Sequence, residues 1–397
     1  MRGVIKFLVG LAVLAAIAWA GLWVYAQHRL AGMLSAYATA VTSPDGTSQL
    51  TYDSLSTGTS PLSATATLHD VRLSLQPAGL DSPVVARLAT VTARIDATQP
   101  LTMYIDLPPR LDITADGNDV VLTFGSAALS ATLDPQQLFT PAANAILGQS
   151  FAFTNLNLLG SSGSIQLAHM DNLSGTEHFA LQASAAQTAL TTHTQLDGLV
   201  LPPWLTQLAQ LPFGGKLAHL SLDLTLSGPV DWRALAQQLR ANQNEAAQEQ
   251  LLLTTLHGWA LAGGSGSLHT NIVLGPTTLD ASGTVKFDDS AQPSGQASLT
   301  ANHLDALAAQ LTQSFPDTQD DIKQAEAQLS PYLTTTSQDG QLLTLHATYG
   351  KTGVILNGQN IADMPPLDWN ALLNPPADDN GGLAIPAPDA GSGAASP

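Results

Sequence analysis

The stretch "LAHLSLDLTLSGPVDW", residues 217–232, decides the fold class of this protein. Every second residue is a leucine and the residues between them are mostly polar, so a strand built from it has one apolar face and one wet face. The apolar side consists of Leu220, Leu222, Leu224 and Leu226. Such alternation is typical of antiparallel sheets with one solvated face, because parallel strands buried on both sides give continuous apolar runs.

The same period of two recurs from about residue 50 to residue 372, interrupted by turn residues. In residues 62–75 the apolar phase slips by one position between Leu68 and Val71, which predicts a β-bulge. Turns between paired strands are predicted at Asp116–Asp119, Gly160–Gly163, Gly275-Pro276, Pro293–Gly295 and Gly350–Thr352. The chain therefore reads as a series of antiparallel hairpins.

Three segments of the body change to helical spacing. Gly228-Pro229 ends the leucine strand, and Asp231 is placed to cap a helix running to about Leu251. Further helices are predicted over Leu304–Phe315, capped by Asn302, and over Asp317–Leu329. We expect a β-dominated α+β fold, with one or more antiparallel sheets and three or four helices.

The N-terminal segment has the features of a membrane anchor. Phe7 to Tyr25 is a run of 19 residues without a charge, long enough as a helix to cross roughly 30 Å of hydrocarbon. Arg2 and Lys6 precede it, which predicts a cytoplasmic N-terminus and a periplasmic body. Ala18-Trp19-Ala20 fits the cleavage site of a signal peptide, and this alternative stays open. The apolar run continues past that site, which favours an uncleaved single-pass inner-membrane anchor.

Composition narrows the possible partners. The net charge is −18 although only 11% of residues are charged. An acidic surface repels phosphate backbones, so we expect no binding to nucleic acid. Cysteine is absent, which excludes disulfides, thiolate metal sites and a cysteine nucleophile.

Four parts of the chain are predicted. They are an anchor at residues 1–29, a first β-rich half at 30–200, a second β-rich half with helices at 201–373, and a disordered tail at 374–397 rich in Pro, Gly, Ala and Asp. Whether the two halves share one sheet is left open by the sequence.

The sequence carries no convincing catalytic motif. Gly350-Lys351-Thr352 has the end of a phosphate-binding loop, but position 345, where that motif needs its first glycine, is Leu345. His169, Asp171 and His178 come closest to a metal cluster, because residues 169 and 171 of a strand face the same side. We regard them as polar-face residues and expect no catalytic, cofactor or metal site and no enzyme.

Two stretches resemble a known family. They are "LPFGGKLAHLSLDLTLSGPVDW", residues 211–232, and "GVILNGQNIADMPPLDW", residues 353–369. Both resemble the uncharacterised alphaproteobacterial envelope proteins grouped as domain of unknown function 2125, a family that brings no reaction or cofactor. The stretch "SGTVKF…SGQASLTANHLDAL", within residues 282–307, is more distantly similar to AsmA-type proteins. That resemblance implies a role in lipid movement or upkeep of the outer membrane.

These observations lead to one functional hypothesis and two alternatives. The chain is expected to maintain the cell envelope through an apolar, lipid-binding face lined by Leu220, Leu222, Leu224 and Leu226. An equally simple interpretation is that the protein's own helices close this face into an ordinary core. A scaffold that binds envelope proteins through a sheet edge is the first alternative class of function, and an undetected hydrolase is the second.

Overall fold

A computed structural model describes the chain from residue 2 to residue 374, except for residues 44–47, 77–81, 135–145, 161–162, 181–182, 185–186, 209–210, 242–244, 337–339, 352 and 364. For residues 2–18 and 40, 146, 212, 233, 236–237, 240–241 and 245 it describes the backbone alone. The predicted tail at 374–397 therefore lies almost entirely outside the described residues.

The described residues are dominated by strands that join in one antiparallel sheet. The strands are β1 (Ser48–Thr51), β2 (Ser54–Thr57), β3 (Ser63–Leu75), β4 (Val84–Asp96), β5 (Thr102–Asp106), β6 (Arg110–Ala115), β7 (Asn118–Thr123), β8 (Ser126–Leu133), β9 (Ile146–Gly160), β10 (Ile165–Phe179), β11 (Thr188–Val200), β12 (Lys216–Ser227), β13 (Ser265–Leu274), β14 (Thr277–Phe287), β15 (Pro293–Ala301), β16 (Leu333–Thr336), β17 (Gly340–Gly350), β18 (Gly353–Leu356) and β19 (Gln359–Ala362). The helices are α1 (Arg2–Val41), α2 (Pro203–Leu208), α3 (Trp232–Ala241), α4 (Glu245–Leu261), α5 (Leu304–Ser314), α6 (Gln319–Leu329) and α7 (Trp369–Leu373).

The pairing follows the chain closely. From β9 to β15 each strand pairs with the next, and β15 then pairs with β17. Between β4 and β9 the sheet is built from short strands in tandem: β5 with β8, and β6 with β7. Strands β11 and β12 pair across the predicted boundary between the halves, with Leu199 opposite Leu217. The sheet is therefore continuous through that boundary.

The second half of α1 forms part of the core. Leu30, Leu34 and Ala38, four residues apart and thus on one side of the helix, are buried against the sheet. Their neighbours include Ala64 and Ala66 on β3, whose small side chains let the helix approach the strands closely. This cluster closes the apolar face of the sheet at its β3–β5 end.

A buried amide ties α1 to the body of the protein. The side chain of Gln27 is 3% exposed. Its Nε2 donates to the carbonyl oxygen of Gly58 at 3.1 Å, and its Oε1 accepts from the amide of Thr65 at 3.1 Å. The segment after the predicted anchor is thus docked against β2 and β3.

The transmembrane part of the prediction gains no support from the structure. Over the part of the chain that is described, none of the helices is both long and apolar enough to cross a membrane. The predicted span Phe7–Tyr25 falls mostly on residues whose side chains lie outside the description, and its backbone belongs to α1.

The Gly275-Pro276 turn is confirmed, because β13 ends at Leu274 and β14 begins at Thr277. Strand pairing confirms the hairpins predicted around Gly160–Gly163 and Gly350–Thr352, whose residues 161–162 and 352 lie outside the described residues. The other two turn predictions need correction. Asp116 and Gly117 alone make the first turn, with φ of 52° and 75°, which are the positive values that a two-residue hairpin of this type requires. The predicted turn at Pro293–Gly295 is wrong, because these residues begin β15. The turn is made earlier, by Asp288, whose Oδ1 accepts from the amides of Ser290 and Gln292 at 2.9 and 3.0 Å.

The slip in β3 is real, but an extra residue does not cause it. His69 lies opposite Thr90 and Val71 opposite Leu88, so the register is the same on both sides of Asp70. Asp70 itself has a φ of 52°, and this left-handed residue brings Leu68 and Val71 to the same buried side. The predicted bulge is therefore wrong, and a single left-handed residue accounts for the slip.

Two helix predictions also change. The single helix expected from Asp231 to about Leu251 is two helices, α3 and α4, although Asp231 does cap α3 by accepting from the amide of Ala234 at 2.9 Å. Asn302 does not cap α5. Its side chain holds β14 instead, since its Oδ1 accepts from the amide of Thr278 at 2.7 Å. His303 takes the position before the helix.

Candidate functional site

The four predicted leucines lie together on one side of β12. Register extends their surface over the neighbouring strands, because residues directly opposite one another in a sheet share a face. The neighbours on β11 are Leu190, Thr192, Thr194 and Leu196, and those on β13 are Gly266, Leu268, Thr270 and Ile272. We call these twelve residues the leucine face.

The middle of the leucine face is open to solvent. Leu222 is 41% exposed and Leu268 is 45% exposed, whereas Leu220, Leu224 and Leu226 are half-buried. Leu268 lies opposite Leu224, so it is the diagonal neighbour of Leu222. Burying a leucine side chain contributes about 1.5–3 kcal/mol to stability. Leu222 and Leu268 lack part of that contribution because they are exposed. On β14 the face continues with Ala281 and Gly283, which leave space above the sheet.

Helices and indole rings cover the surroundings of this opening. At the Leu226 end, Trp259 Nε1 donates to the carbonyl of Ser227 at 3.0 Å, and Trp232 Nε1 donates to the carbonyl of Ala189 at 2.9 Å. Helix α1 packs on β3 and β4, and α5 contacts β14 and β17. The same sheet face is thus closed at both flanks and open between them.

The opposite face carries a chain of histidine–aspartate contacts. His193 Nδ1 lies 2.6 Å from Asp223 Oδ1, and His269 Nδ1 lies 3.5 Å from Asp223 Oδ2. His269 Nε2 in turn lies 3.0 Å from Asp280 Oδ2. These four residues, on β11, β12, β13 and β14, tie four strands together, and we call them the His–Asp ladder.

A second polar group lies further along β11 and β12, on the same face. His219 Nδ1 is 2.6 Å from Asp197 Oδ1, while Gln195 and Asn172 donate to Asp197 Oδ2 at 2.7 and 3.2 Å. Burial opposes the charge on Asp197, but these hydrogen bonds outweigh it and hold the pKa of its carboxyl below the ordinary value.

The His–Asp ladder shifts two of its own groups. Hydrogen bonding from His193, aided by His269, lowers the pKa of Asp223 against a smaller effect of burial. Hydrogen bonding to Asp280, aided by Asp223, raises the pKa of His269. Both shifts favour the charged forms, so His269 forms ion pairs with Asp223 and Asp280 whenever it is protonated.

The three metal-site candidates are not brought together. His169 Nε2 contacts Asp171 Oδ1 at 3.2 Å, and His169 Nδ1 contacts Asn157 at 3.0 Å. His178 lies nine residues further along β10, about 30 Å away at the rise of a strand. Within the described residues, no group of three or more histidine or acidic side chains is placed to hold a metal ion.

The glycine–lysine–threonine motif has no phosphate-loop geometry. Gly350 ends β17 and Gly353 begins β18, so Lys351 stands on a hairpin turn. Its Nζ lies 2.9 Å from Asp288 Oδ2. A hydrogen bond from Ser290 Oγ, aided by this contact with Lys351, keeps the pKa of Asp288 well below its ordinary value. The lysine therefore joins the ends of two hairpins.

Comparison with known proteins identifies a family without a known activity. A family model described as "Uncharacterized protein conserved in bacteria (DUF2125)" matches residues 23–344. No curated protein and no solved structure matches the chain. The more distant resemblance to AsmA-type proteins accordingly stays a prediction.

Proposed function

We propose that this chain, which belongs to the DUF2125 family of uncharacterised bacterial proteins, is a non-catalytic envelope protein that holds lipid acyl chains on its leucine face. The observation that carries the proposal is the exposure of Leu222 and Leu268 on a sheet face that helices cover elsewhere. Each methylene of an acyl chain laid on this opening contributes about 0.8 kcal/mol when it leaves water.

The anchor belongs to the same proposal. An uncleaved helix at Phe7–Tyr25, with Arg2 and Lys6 on the cytoplasmic side, would hold the body in the periplasm beside the inner membrane. Lipid would then be within reach of the leucine face without passing through water. The threonines, alanine and glycine around the leucines leave the room that a flexible chain needs.

Native mass spectrometry of the full chain, purified in detergent, tests the proposal. The full chain is needed because α1 forms part of the core. We expect phospholipid to copurify with the wild type and to be lost from Leu222→Asp and from Leu224→Asp, because a charge on the face must be desolvated against an acyl chain. The matched control is Ile361→Asp on β19, an equally apolar but distant position that is 54% exposed.

The sheet-edge scaffold has one observation in its favour. All four residues of β19 are exposed, and β19 pairs on one side with β18. Protein captured by crosslinkers at β19 in stoichiometric yield, from a chain that carries no lipid, would support the scaffold and contradict the lipid proposal.

A further inference from the structure

Helix α1 leaves two apolar cavities against the sheet, outside the leucine face. The first, of about 290 Å³, lies between the stretch Trp19–Met33 and the segment Pro61–Ala64. The second, of about 280 Å³, lies under Met33–Ala38 and reaches Phe151 on β9. Each is close to the roughly 300 Å³ at which small-molecule sites begin. Met33 lines both, so the cavities adjoin one another along the helix.

One residue that lines the first cavity has a buried polar atom without a partner. Trp23 lines it, and Trp23 Nε1 is buried with no hydrogen-bond acceptor among the described residues. Four of the other indole N–H groups reach a backbone carbonyl, namely those of Trp19, Trp232, Trp259 and Trp369. A buried donor left unpaired costs about 1–3 kcal/mol, so an acceptor inside the cavity would be bound there.

The exposed rim of this cavity is mostly apolar, although Arg29 and Asp96 also line the cavity. Trp19, Leu22 and Tyr25 on α1 are 42%, 57% and 44% exposed, and Leu62 on the other wall is 70% exposed. Tryptophan and tyrosine at the end of an apolar helix favour the level of the lipid headgroups and ester carbonyls. A membrane lipid is therefore the occupant that matches both the mouth and the lone donor.

The inner end of the second cavity lies on the same side of the sheet as the leucine face. Phe151 lies opposite Gly175, Gly175 lies opposite Thr194, and Thr194 lies opposite Leu222. Three steps of register on one side of the sheet thus separate Phe151 from the exposed Leu222. The ring of Phe151 fills the space beside Gly175 where a side chain would stand.

We propose that a membrane phospholipid inserts one acyl chain under α1 at this mouth. Its ester carbonyl accepts the hydrogen bond of Trp23 Nε1, and its chain runs past Met33 towards Phe151. The ligand class rests on the function proposed above, but the site is separate from the leucine face. No covalent step is involved.

Photocrosslinking in vesicles tests this site. The full chain is reconstituted in vesicles of phosphatidylethanolamine and phosphatidylglycerol containing a phospholipid with a diazirine in mid-chain, and adducts are mapped by peptide mass spectrometry. We expect adducts near Met33 and Phe151. Trp23→Phe, which removes only the donor, should lower the apparent affinity about two- to tenfold. Met33→Trp, which fills the junction, should abolish the Phe151 adduct, while Met33→Leu should keep it.

Three results would overturn the inference. One is an absence of adducts at both positions in a folded wild type, and a second is an unchanged adduct yield in folded Trp23→Phe. Labelling by a diazirine fatty acid, with none by the phospholipid, would likewise contradict a phospholipid occupant.

The same samples separate this site from the leucine face. Leu222→Asp should remove adducts at Leu268 and leave those at Met33. Adducts at Met33 with none at Leu268 in the wild type would support the site under α1 and contradict the function proposed for the leucine face. The reverse pattern would contradict this inference alone.

Discussion

Two regions of the sheet differ in how the same alternating pattern is covered. At the β3–β5 end, alternating residues such as Ala66 are fully buried, because Leu30 and Leu34 of α1 lie over them. On the leucine face the alternation is more regular, yet Leu222 is 41% exposed. Alternation thus determines which side of a strand is apolar, and the element laid over it determines whether that side becomes a core or a surface.

The difference has a physical basis in the covering elements. Covering a face needs a helix whose own apolar stripe matches it, and Leu30 and Leu34 provide that stripe for β3. Helices α3 and α4 follow β12 directly in sequence, but the cluster that they contribute lies around Leu226, through Trp232 and Trp259. The open middle therefore lies between two covered regions.

The comparison is tested most strongly by truncating one leucine in each region. Leu30→Ala should lower the free energy of unfolding by about 2–5 kcal/mol, because it removes a fully buried side chain from the core under α1. Leu222→Ala, the same change on the open face, should stay within about 1 kcal/mol of the wild type. Urea unfolding of the full chain in detergent, followed by circular dichroism, measures both. Equal losses would show that the leucine face is as closed as the α1 core.

The second prediction concerns what holds the covering helix in place. Gln27→Ala removes the partners of the Gly58 carbonyl and the Thr65 amide in a buried position, so the free energy of unfolding should fall by about 1–3 kcal/mol. The matched control is Gln359→Ala on exposed β19. Leu222→Asp should not add to the Gln27 effect beyond the sum of the two single changes, because the regions do not share contacts. Strong coupling between the two substitutions would contradict the view that the α1 core and the leucine face are stabilised independently.

Much of the local structure could be predicted from the sequence. The Gly275-Pro276 turn and the helix at Leu304–Phe315 are found within a residue of their predicted positions. Glycine, proline and hydrophobic periodicity determine the backbone over a few residues, so turns and helices can be predicted from the local sequence. The turn at Pro293 was misplaced because Asp288 makes it with side-chain hydrogen bonds, and an aspartate is common in other settings as well.

The candidate sites were harder to predict from the sequence than the strands and helices. His219 and Asp223 alternate with the leucines, so their common polar side could have been inferred from "LAHLSLDL". Which aspartate meets which histidine, however, depends on the register between strands such as β11 and β12, whose partners are about 30 residues apart. The core role of Leu30 and Leu34 was hidden for another reason: the apolar run that ends at Tyr25 explains the N-terminus well enough as an anchor alone.

The smallest predicted effect concerns the reverse side of the open region, where the His–Asp ladder ties β11 to β14. The pKa of His269 is raised, so its ion pairs contribute fully below its unfolded value of about 6.5 and are lost as pH rises through the folded value. The pKa of Asp223 is lowered, so its contribution is present above about pH 3.9 and is lost as pH falls through its lower folded value. His269 faces His193 indirectly through Asp223, and Asp280 and Asn271 lie on its other side.

The side chains of His269, Asp223 and Asp280 are nearly half exposed, so their ion pairs contribute little. The free energy of unfolding of the wild type should therefore exceed that of His269→Gln by only about 0.2–1 kcal/mol, with the largest difference between about pH 4 and 6.5. Urea midpoints of both proteins at pH 5.5, 7 and 9, roughly spanning that loss, measure the difference. If the stability difference between the two proteins grew above neutral pH, neutral His269 would hold the strands by hydrogen bonding. The ladder would then not stabilise the sheet through ion pairs.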